Sequence, residues 1–128
     1  MRLAVLFALL ALPAIAQDAE EGAATFLDNC AGCHGATAEG DGPLATLLTT
    51  PPPNLTEIAL RNGGTFPLTR IVQRIDGTTE VRAHGGPMPV FGPLMEGPSV
   101  AMVGPDGADV IVPEGIAHIA TWLMEVQK

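Results

Sequence analysis

The sequence predicts one small, mainly α-helical domain with a short β-hairpin inserted before its last helix. Three observations carry this. Apolar residues recur at helical spacing in residues 18–29, 68–76 and 113–127. A turn sequence, Gly104-Pro105-Asp106-Gly107, separates two short apolar runs at residues 100–103 and 108–112. The 128 residues include 15 Gly and 12 Pro but only four Phe and one Trp, so large side chains are too few to fill a core unaided.

Residues 1–16 read as a secretory signal peptide. Arg2 supplies the positive start, residues 3–12 are continuously apolar, and Ala14-Ile15-Ala16 offers a small-x-small cleavage site. The competing reading is a retained membrane anchor, but the run is about half of the ~20 residues needed to span a bilayer. Cleavage before Gln17 leaves residues 17–128 as the mature domain.

Residues 18–29 form the first expected helix. Asp18, Glu20 and Glu21 stand where the helix dipole favours anions. Gly22, Ala23, Phe26, Leu27 and Cys30 share one face. A glycine inside a helix costs about 1 kcal/mol against alanine, so Gly22 is expected to serve packing.

The helix leads into Cys30-Ala31-Gly32-Cys33-His34. This is C-x-x-C-H, the attachment signature of a covalent c-type haem. Two thiols one helical turn apart lie on the same side of the backbone and reach the two vinyl groups on one porphyrin edge as thioethers. His34 follows as the proximal ligand, with Nε2 on iron and Nδ1–H given to an acceptor. The alternatives are weaker. Zinc wants four ligands, whereas the chain has two Cys, and His84 and His118 are far apart. A thioredoxin-like pair wants an adjacent βαβ pattern. A disulfide across two residues closes a loop too small to stabilise much.

Pro51-Pro52-Pro53-Asn54 is too stiff and donor-poor for a helix or a central strand. A short helix is expected from Thr56, as its N-cap, to Arg61, stopped by Asn62-Gly63-Gly64. In residues 68–76, Leu68, Ile71, Val72 and Ile75 make one apolar stripe, with Arg70 and Arg74 away from it and Gly77 as the stop. The next stretch is His84-Gly85-Gly86-Pro87-Met88-Pro89. A thioether is a soft ligand that suits haem iron, and two prolines stiffen the loop around Met88. Met95 and Met102 are its rivals, read as apolar packing. His84 is a second candidate for the distal position, with a place near a propionate or at the surface as its plainer role. The hairpin follows, then the last helix. Pro113 and Glu114 start that helix, and Ile116, Ile119, Ala120, Leu123 and Val126 form its buried stripe.

Taken together, Cys30-Ala31-Gly32-Cys33-His34, Gly40-Asp41-Gly42-Pro43, Pro87-Met88-Pro89 and an amphipathic helix at each end resemble the class I c-type cytochromes of bacteria. The resemblance covers roughly residues 19–128. It implies a cytochrome c-like helical domain wrapped around one haem c, held through Cys30 and Cys33. It implies His34 and Met88 as axial ligands and the Pro43 carbonyl as acceptor for the His34 Nδ1–H. It implies that Gly22 and Phe26 meet the last helix, with Trp122 as aromatic partner. It also implies maturation outside the cytoplasm, in the periplasm of a Gram-negative cell. One departure is the insertion at residues 99–112. Covering the haem, offering a partner surface and being neutral are equal readings of it.

The function implied is one-electron transfer by a carrier and not catalysis, because two axial ligands leave iron no open position for substrate. Two alternatives stand beside it: a haem subunit or dedicated acceptor of a periplasmic dehydrogenase, and a gas-binding or sensing haem protein. Charge narrows the partners. Loss of Arg2 leaves five Lys and Arg against 14 Asp and Glu, a formal −9. Nucleic acid is excluded, an anionic membrane surface is unattractive, and a redox protein with a basic docking surface is expected. Arg61, Arg70, Arg74 and Arg82 fall in one stretch, towards propionates or a partner; solvation is the plainer reading for Arg61 and Arg70.

Overall fold

The computed structural model describes residues 18–78, 88–95 and 97–128. The signal segment, Arg82, His84 and Pro87 lie outside the described residues. Helix α1 spans Ala19–Asn29. Its cap is Asp18, whose Oδ1 accepts the N–H of Glu20 at 2.9 Å and of Glu21 at 3.2 Å, satisfying donors that have no partner within the helix. Cys30 ends it, and a single further turn, α2 (Ala31–His34), carries the motif.

A 3-10 turn at Leu55–Glu57 runs into α3 (Ile58–Arg61). The cap here is Asn54 and not Thr56. Asn54 Oδ1 accepts both the Thr56 N–H at 2.9 Å and the Thr56 hydroxyl at 2.7 Å. The Thr56 hydroxyl is buried and turned to Asn54 as a donor, and the N-cap residue of α3, Glu57, makes no side-chain capping bond. Helix α4 spans Leu68–Asp76 with the expected stripe inward, and Gly77 stops it at φ +83°.

Strands β1 (Ser99–Val103) and β2 (Asp109–Pro113) pair antiparallel, with Ala101 opposite Ile111. The turn closes with the Gly107 N–H on the Gly104 carbonyl at 2.9 Å. The inner face buries Met102 and Val112, while Val103 and Ile111 on the outer face stay exposed. Helix α5 spans Glu114–Glu125.

Helices α1 and α5 cross at the back of the fold, and Gly22 sets their distance. A Cβ there would lie 2.0 Å from the His118 carbonyl oxygen, so only hydrogen fits. One turn on, Phe26 meets Trp122 with ring centroids 4.6 Å apart and planes tilted by 43°. Such a pair adds about 0.5–1.5 kcal/mol beyond the area it buries. Phe26, Leu68, Val72, Ile116 and Ile119 are the fully buried centre around which the remaining elements pack.

Candidate haem-binding site

The sequence places two thiols and an imidazole on one turn, and the structure keeps them there. The N–H groups of Cys33 and His34 both reach the Cys30 carbonyl, at 3.1 and 2.9 Å. Both thiols are free. Cys30 is buried, and burial first, then the nearby Cys33, pushes its thiol up to about 11. His34 is 8% exposed. Burial lowers its pKa, and the Pro53 carbonyl beside the ring works the other way. The result is a neutral imidazole, the form that offers a lone pair to a metal.

Its Nδ1 is fully buried and makes no hydrogen bond. The Pro43 carbonyl therefore does not accept from it in this structure. Pro43 is nevertheless tied to the motif from both sides. The Gly42 N–H donates to Cys33 at 3.2 Å, and the Leu44 N–H donates to Gly32 at 2.9 Å. The imidazole ring stands 6.5 Å from Phe26, which joins the site to the core.

Met88 is half-buried and packs against that same core. Met95 is buried against the start of α5, and Met102 on the inner face of the hairpin. The stiff segment Pro51-Pro52-Pro53-Asn54 is expected from the sequence to run along a haem edge; that the Pro53 carbonyl comes beside His34 depends on how the loop folds back and had no signal of its own.

Two thiols and a neutral imidazole with a buried, unpartnered nitrogen are the donor set that haem c takes, on a turn backed by crossed helices. The fold and the site thus define a c-type haem protein. The family model described as Cytochrome c matches residues 19–126, and the chain belongs to the cytochrome c family. It is a haem-binding electron-transfer protein, and membership implies covalent haem c. No curated protein and no solved structure matches it. Among the described residues no helix is long and apolar enough to cross a membrane.

Proposed function

We propose that the protein is a periplasmic one-electron carrier, exported by cleavage of residues 1–16, with a single haem c. Cys30 and Cys33 would hold the haem as thioethers, and His34 and Met88 would ligate the iron. The observation that carries this reading is the buried His34 imidazole, its Nδ1 without a hydrogen bond, directly after two free thiols. The bound haem supplies one-electron exchange between ferrous and ferric iron.

The chain's own residues do the rest. Burial keeps His34 unprotonated and available. Pro43, tied to the motif on both sides, would accept the Nδ1–H once the ring is fixed, and so orient it. Met88, packed against the core, would be the second protein ligand to the iron, which is why carrier and not enzyme is the reading.

The decisive experiment is on Met88 in protein matured with its haem. Wild type is expected to keep its haem through acid–acetone extraction and to resist carbon monoxide in the ferrous form. Met88→Ala is expected to bind carbon monoxide and lose the ferric sulfur-to-iron absorption band. Rapid, complete binding of carbon monoxide by wild type would instead establish the gas-binding alternative.

A further inference from the structure

Helix α4 is secured at both ends by residues distant in sequence. Its preceding residue, Pro67, provides no side-chain cap. The cap comes from the hairpin turn. Asp106 Oδ2 accepts the Leu68 N–H at 3.1 Å, an N–H shared with the Phe66 carbonyl at 3.1 Å. Asp106 Oδ1 accepts the Ala108 N–H at 3.2 Å and steadies the turn itself. The turn lies hard against the helix, since a Cβ on Gly104 would come within 2.6 Å of the Leu68 Cβ. At the far end of α4, the Ile75 carbonyl accepts the Phe91 N–H at 3.0 Å. Val90 covers Gly77, where a Cβ would sit 2.0 Å from its Cγ1. Val90 and Phe91 follow Met88 by two and three residues. One rigid helix therefore joins the hairpin turn to the loop that bears Met88.

We propose that Asp106 is a positioning residue for Met88. It caps α4 from the hairpin, and α4 in turn seats Val90 and Phe91, which sets how firmly Met88 is held. The assignment rests on Met88 being the axial ligand. It gives the insertion at residues 99–112 a purpose in the site. Loss of a helix cap weakens local structure by a factor of about five. A looser seat lowers the fraction of molecules with Met88 in place, and a competing ligand registers that as tighter apparent binding.

The test is imidazole titration of the ferric holoprotein, together with amide hydrogen exchange at Leu68 and Phe91. Asp106→Ala and Gly104→Ala are expected to bind imidazole about five-fold more tightly than wild type, and to exchange both amides faster. Asp106→Asn, which keeps one acceptor oxygen, should fall between. Gln127→Ala is the control. Its amide, two residues past α5, ties the end of the chain to Leu55 and Ala59 at 2.8 Å each and bonds no residue of α4, so it should lower the melting temperature and leave both readouts unchanged. If Asp106→Ala fails to take up haem, Gly104→Ala and Asp106→Asn decide. Wild-type imidazole affinity and Phe91 exchange in these variants, or an equal shift in Gln127→Ala, would overturn the proposal. A Met88→Ala protein that binds imidazole no more tightly than wild type would refute the ligation itself. A clear Met88→Ala effect with silent Asp106 and Gly104 variants would refute the positioning alone.

Discussion

Gly22 shows how much one missing atom decides. What a Cβ would meet there is the backbone of α5, which cannot rotate away as a side chain can. Gly22→Ala raises helix propensity by about 1 kcal/mol, yet overpacking typically costs about 1–3 kcal/mol. A lower melting temperature of the holoprotein is the expected outcome. The buried methionines separate packing from ligation in the same way. Met95→Ala and Met102→Ala should each cost about 2–5 kcal/mol in chemical denaturation while leaving the ferric sulfur-to-iron band intact. Loss of the band in either would move the distal ligand away from Met88. At this scale Gly22, Phe26 and Trp122 were legible, because the family pattern names a glycine and aromatics at a crossing. The unpartnered Nδ1 of His34 was not, since it depends on where a loop carbonyl comes to rest.

Elements whose signals are local matched their sequences closely. The stripe Leu68, Ile71, Val72, Ile75 with Gly77 behind it marks α4 at both ends, and Gly104-Pro105-Asp106-Gly107 marks the hairpin. The segment at 54–61 was read one step wrong because Asn and Thr are both good caps and only geometry shows which accepts. The join between Asp106 and Leu68 left no trace, since 38 residues separate them. A weaker join ties the end of the chain to the loop after the motif. Lys128 pairs with Glu39 and donates its backbone N–H to Thr56 at 2.8 Å. The hydrogen bond and charge of Lys128 lower the Glu39 pKa, and Glu39 raises that of Lys128. The carboxylate's contribution is therefore present above its ordinary 4.5 and lost as pH falls through the lowered native value. The ammonium's is present below its ordinary 10.5 and lost as pH rises through the raised one. Both side chains are exposed, so the effect is small and screened by salt. Glu39→Gln should change the melting temperature barely at neutral pH, and less still in high salt.

For the molecule as a whole, charge is the dominant long-range property. Glu20, Glu21 and Asp28 on α1 and Asp41 after the motif are exposed acids, and they add to the chain's net negative charge. Electron exchange with a basic redox protein should slow as salt rises, because screening shortens to about 10 Å at 0.1 M. Stopped-flow rates that stay flat across ionic strength would point to docking through apolar contacts such as Leu44 and Leu47 instead. The domain class was legible from Cys30-Ala31-Gly32-Cys33-His34 and the resemblance it carries, and the shortage of large side chains agrees with a prosthetic group in the core. What residues 99–112 contribute was not legible, since a hairpin's pattern gives its pairing and not its neighbours.

The crossing of α1 and α5 also bears on the order of events during folding. These helices are separated by residues 30–113, so their contact is among the least local in the chain, and closing so long a loop is slow. The thiols follow α1 directly and so leave the ribosome early, while in the folded chain Cys30 is 9% exposed and Cys33 half-buried. A slow closure keeps the chain longer in forms where Cys30 is not yet buried, and thioether formation is expected to be easiest then.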